Sequence, residues 1–225
     1  MRSLTAVTTA SLLLASGASA QGWVSPQPPC NITAGHFRVN SAVVTLKAAA
    51  EQPQHRDRML RQTQDVLYRA LIADRQTENP GAWYYLGRYF VETKDGAGAD
   101  SAFDRAEALA PQCGDDITGY RRRVWNEVMA DGYRMWQDGK EDSSLATMRV
   151  AYALLPSNPR SLAQIAALFT NRDLNDSAAW YFRRVIEVAG ADTAFAKERR
   201  DAQASLARNA VRQVHGSPAV EQFRR

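Results

Sequence analysis

Residues 82–111 read AWYYLGRYFVETKDGAGADSAFDRAEALAP, a run in which bulky aromatics alternate with the smallest residues. Trp83, Leu86, Gly87 and Phe90 recur at three- and four-residue steps, KDGAG at 94–98 breaks the run, and Ala99, Phe103, Ala106 and Leu109 resume it until Pro111. This periodicity predicts two helices joined by a tight turn, with their apolar stripes facing each other. A glycine inside a helix costs up to about 1 kcal/mol relative to alanine, so Gly87 calls for close packing to offset it. Gly87 and Ala106 are expected to let the two helices approach, while Trp83, Phe90 and Phe103 fill the space between neighbouring pairs.

The same plan recurs along the chain. Gly87, Phe90, Ala99, Phe103, Ala106 and Pro111 are matched 45 residues later by Gly132, Met135, Ser144, Met148, Ala151 and Pro156, and a further 34 residues on by Ala166, Phe169, Ala178, Phe182, Val185 and Gly190. Upstream, Thr63, Leu67 and Ala70 stand 36 residues before Ala99, Phe103 and Ala106. The one long interval has a geometric account. Eleven added residues at about 100° each make almost three helical turns and keep the buried face in phase. A single long helix from about Asp116 to Gln137 is therefore expected. Before the quoted stretch, Asn40-Ser41 can cap a helix that ends near Gln52 at Pro53, and a second helix fits 56–76.

The W-x-x-L-G-x-x-F, A-x-x-x-F-x-x-A, P pattern of 83–111 resembles the tetratricopeptide repeat, whose period is about 34. The match is nearly complete over 80–113, partial over 125–158, where Asp131 and Ser144 depart from the usual types, and moderate over 159–192; the pair at 40–76 is a degenerate relative. The resemblance implies an all-α fold: a right-handed α-solenoid of antiparallel helix pairs at 40–76, 80–113, 116–158 and 159–192. A capping helix over 193–214 would cover the last apolar face.

The ends read differently. Arg2, the apolar run through Leu12, Leu13 and Leu14, and Ala18-Ser19-Ala20 have the three parts of a secretory signal peptide over 1–20. No run approaches the roughly 20 apolar residues of a membrane-spanning helix. A soluble exported chain, periplasmic or extracellular, is expected. Loss of 20 of the 225 residues leaves 205, enough for one domain, and with Arg2 gone the formal charge falls from +4 to +3. So weak an excess, with both signs spread along the chain, argues against a nucleic-acid binder. Residues 21–38, rich in proline, read as an extended arm, and 215–225 as a tail. The sequon Asn31-Ile32-Thr33 is short enough to arise by chance. Cys30 and Cys113 can form one bridge, closing a loop worth about 4 kcal/mol; two unrelated thiols fit the same pattern.

Little in the sequence carries catalysis. His36, His55 and His215 have no cysteine or carboxylate partner at metal-ligand spacing, and neither nucleophile-elbow, zinc-protease nor phosphate-cradling motifs occur. Asp115-Asp116 and Glu141-Asp142 suit helix starts, and Arg121-Arg122-Arg123 reads as a solvated patch. No enzymatic activity, cofactor or metal is expected.

Binding fits better. Stacked pairs curve and leave a concave surface lined by the first helix of each pair. In this register Tyr84, Arg88, Met129, Tyr133, Trp136 and Arg160 present outward on it, and aromatics with arginine are the types that anchor interfaces. Tyr84 and Met129 stand where relatives that clamp chaperone tails want lysine or asparagine, which argues against that clamp. The expectation is a scaffold that holds a protein or peptide in an aromatic-lined groove; the alternative is an accessory subunit of a cell-envelope assembly docking through its arm.

Overall fold

The structure is a computed structural model and describes residues 23–215, with side chains to 211. The signal peptide expected at 1–20, the first two residues of the arm and the tail beyond 215 lie outside the described residues. The described residues are all-α, without strands: α1 (Phe37–Glu51), α2 (Arg56–Ile72), α3 (Pro80–Thr93), α4 (Gly96–Leu109), α5 (Gly114–Gln137), α6 (Glu141–Leu154), α7 (Pro159–Asn171), α8 (Asn175–Ala189) and α9 (Ala196–His215). Consecutive helices pack in pairs, α1 on α2, α3 on α4, α5 on α6 and α7 on α8, and each pair packs on the next, with α9 against α8.

Helix starts follow local chemistry. Pro80 opens α3, where its missing N–H is no loss, and the Asn79 side chain accepts from the Gly81 N–H. Asp95 caps α4 by accepting from the Gly98 N–H. Three boundaries differ from expectation. Helix α9 begins at Ala196 rather than at 193, after a short turn at Thr193–Phe195. Helix α1 begins at Phe37, a turn before Asn40-Ser41, because the Ser41 hydroxyl donates back to the Phe37 carbonyl within the helix instead of capping it. Helix α2 stops at Ile72, and Arg75 takes a left-handed conformation in the turn that follows.

The recurring small residues fit large side chains of the paired helix. A Cβ added at Gly87 would stand 2.5 Å from the Phe103 ring, and one at Gly98 would stand 2.7 Å from Phe90. Each helix of the pair thus offers a gap to the other's ring, and the reversed order of the two contacts makes the pair antiparallel. Gly132 meets Met148 in the same way at 2.6 Å, and the Ser144 hydroxyl donates to the Gly132 carbonyl at 2.8 Å. Phe90 and Phe103 therefore fill space within their own pair as well as beyond it, a wider role than the spacing between pairs expected for them. The equivalent positions Thr63, Ala99, Ser144 and Ala178 are all sealed, as are Leu67, Phe103 and Met148 one turn on. In the first pair Thr63 meets Thr45 hydroxyl to hydroxyl at 2.6 Å, which satisfies two polar groups inside the core.

Helix α5 runs 24 residues, the long helix that the phase of the interval predicts. Its added N-terminal turns carry Ile117, Tyr120 and Val124 alongside α3. One apolar cluster extends from the arm to α7, and a smaller one joins α7, α8 and α9; Phe169 and Tyr181 touch both.

Candidate functional site

The arm is tied to the helices. Cys30 and Cys113 form a disulfide, both buried, that fixes the arm to the start of α5. The Asn79 amide donates to the Ala34 carbonyl at 2.9 Å, and Gly81 leaves room for the Thr33 carbonyl, which a side chain there would strike. From Cys30 the arm reaches back to Trp23, whose ring lies on a face shared by α1, α3 and α5.

Arg88 is at the centre of that face. Its guanidinium carbon stands 3.8 Å from the Trp23 ring centre and 4.8 Å from that of Tyr120. The residue is only 7% exposed, its Nη1 is sealed without a hydrogen-bond partner, and the guanidinium meets no carboxylate among the described residues. Beside it the Tyr84 hydroxyl donates to Asp116 Oδ2 at 2.5 Å. Burial, reinforced by Tyr120 and by the bond to Asp116, pushes the Tyr84 phenol well above its ordinary value, and the charge of Arg88 opposes this. Burial likewise raises Tyr85 and Tyr120 against the same charge. Glu92 accepts from Arg56 at 2.8 Å on one oxygen and from Arg123 at 3.0 Å on the other. Trp23, Leu46, Arg88, Glu92, Tyr120 and Arg123 bound a cavity of about 470 Å³.

A second recess, about 380 Å³, lies between α5, α7 and α9, with Tyr133, Arg160, Gln164, Glu198 and Asp201 on its walls. Arg160 donates to Glu198 at 2.7 Å. Burial acts to raise the Glu198 carboxyl, and the bond from Arg160 with the charge of Lys197 outweighs it, leaving it below its usual value. Burial raises the Tyr133 phenol, while a hydrogen bond with Gln164 and the charge of Arg160 act the other way.

The six residues expected on one outward surface separate accordingly. Tyr84 at 0% exposure, Arg88 and Met129 are buried, so as they stand they offer a protein partner no docking surface; Trp136 is half-buried against the main core. Tyr133, 38% exposed, and Arg160 stay open. The added turns of α5 and the docked arm cover the first positions, and a helix-by-helix register reading includes neither. Trp23, Tyr120 and Arg123 complete the first cavity without having been singled out for it. The available signal was Trp23, the one tryptophan of the proline-rich arm. The arginine run also differs from a solvated patch: Arg121 is nearly enclosed and meets Asp100, Asp104 and Glu107, while Arg123 meets Glu92.

Among the described residues no three His, Cys, Asp or Glu side chains are grouped to hold a metal ion, and no helix is long and apolar enough to cross a membrane. His36 lies 3.5 Å from Asp74, which also meets Arg38 at 2.8 Å. No family model matches the chain, and no curated relative does.

Proposed function

We propose that the chain is an exported scaffold of the tetratricopeptide kind, a right-handed α-solenoid without enzymatic activity that holds an extended polypeptide segment along the concave side formed by its first helices. One observation carries this reading: the face of α1, α3 and α5 already holds an extended segment of the chain itself, with Trp23 set against Arg88. The recess at Tyr133 and Arg160 continues along the odd-numbered helices, and no described segment lies across it. A disulfide joining arm to body supports export to an oxidising compartment. Docking of an assembly through the arm has less support, because residues 30–34 are engaged by the body.

Selection from a random peptide library against the disulfide-bonded chain tests the reading. Selected sequences should lose at least about tenfold in affinity, roughly 1.4 kcal/mol, when Tyr133→Ala and Arg160→Ala are combined, with far-UV helicity unchanged. Peptides indifferent to both substitutions, or no selection at all, refute the open recess as a partner site.

A further inference from the structure

Arg88 differs from the arginines around it. Arg121 meets three carboxylates, and Arg56 and Arg123 share Glu92. Arg88, more deeply buried than any of them, meets no acid among the described residues, and its Nη1 is sealed without a hydrogen-bond partner there. The two acids near it are already engaged, Glu92 by two guanidiniums and Asp116 by the Tyr84 hydroxyl. Aromatic rings at 3.8 and 4.8 Å attract a cation through their faces. They leave its Nη1 without a partner among the described residues, and a buried polar group without a hydrogen bond is costly.

Arg88 lines a cavity whose size, about 470 Å³, suits a small molecule. The walls divide by chemistry. Trp23, Val24, Leu46 and Ala50 supply an apolar side, and Arg88 and Arg123, with Glu92 held by Arg123, supply a charged end. Arg56 and Arg123 pair with the carboxylate of Glu92, and with Arg88 they set three positive charges against Glu92 and Asp116, an excess of one that a bound anion balances.

We propose that this cavity binds a small free monocarboxylic acid with an apolar body, its carboxylate taken by the forked N–H groups of Arg88 and its tail lying against Trp23 and Leu46. Planar guanidinium donors match a carboxylate in two-point geometry, and the apolar walls disfavour a fully hydrated anion such as phosphate. The site goes beyond the peptide-holding reading and uses a different recess, so either can fail alone.

Calorimetric titration of the full disulfide-bonded chain with hexanoate, hexanamide and inorganic phosphate tests it. Hexanoate should bind saturably, at least tenfold more tightly than the isosteric hexanamide and than phosphate. Arg88→Met should abolish hexanoate binding, and Arg123→Met should weaken it severalfold. The comparison of hexanoate with hexanamide needs no variant and stands even where Arg88→Met fails to fold. Equal binding of acid and amide, preference for phosphate, no saturable hexanoate binding, or loss of binding in Tyr133→Ala but not in Arg123→Met would each overturn the proposal.

Discussion

The two ends of this molecule use one helix-pair plan and treat the same face in opposite ways. Between α1, α3 and α5 the face is covered by the chain's own arm, lined with aromatics and closed by a disulfide. Between α5, α7 and α9 it is open, with the small residues Ala163 and Ala167 on α7 and a surface ion pair from Arg160 to Glu198. A repeat fixes how helices pair; what lies over the shared face is set by segments outside the repeat, here the arm and the added turns of α5.

The contrast should be largest in the core. Phe103→Ala removes a sealed ring that meets Gly87, Tyr84 and Tyr120, and is expected to cost about 4–5 kcal/mol, the upper part of the range for large-to-small changes. Phe182→Ala, at the equivalent place in the smaller cluster, should cost less, because fewer buried side chains pack around that ring and it is less completely sealed, 8% exposed against 0% for Phe103. Urea unfolding of both variants measures the gap, and equal costs would mean that the two ends are equally well packed. Removing the disulfide with Cys30→Ser and Cys113→Ser should cost about 4 kcal/mol in the chain-entropy account. Hydrogen exchange should then rise in α1 to α4 far more than in α8.

Glycine substitutions refine the comparison at smaller scale. Gly87→Ala pushes a Cβ against the enclosed Phe103 ring and should destabilise by about 1–3 kcal/mol. Gly132→Ala meets the flexible end of Met148, which can swing aside, and should cost less. Gly119→Ala has nothing within 4 Å in the middle of α5 and should stabilise by up to about 1 kcal/mol. Thermal melts that fail to give this order would remove the packing account of the small residues.

The smallest effects are in pH, and their signs differ between the ends. Tyr84, Tyr85 and Tyr120 have phenols raised above the ordinary 10.0. A raised value means that the folded state favours the proton, so their contribution is complete below pH 10.0 and is lost as pH climbs above it. Tyr84→Phe should soften the alkaline transition. Glu198 is lowered from 4.5, so its contribution is present above that pH and is lost as pH falls below it. Glu198→Gln should flatten acid sensitivity near α9 and leave the alkaline limb untouched.

Much of the pairing was legible in the sequence because it is local. Gly87 with Phe103 and Gly132 with Met148 lie on consecutive helices, so a fixed interval records them, and the phase of eleven extra residues foretold α5. The covering of Arg88 was not legible. Trp23 belongs to a proline-rich segment without periodicity, and its contacts are to helices far along the chain, which no spacing encodes. For the same reason Tyr84 and Met129 read as surface: an outward register describes one helix against its partner and says nothing of a third element lying across both.

The bond from Cys30 to Cys113 also sets an order of disassembly. It joins the segment before α1 to the threshold of α5, so the first two pairs form a closed circuit that cannot peel away from its end. At the opposite end α8 and α9 rest mainly on the small cluster, with Tyr181 reaching the main one, and have no covalent tether. Fraying, and the first protease nick, should therefore begin there and travel back toward α6, leaving a resistant amino-terminal fragment.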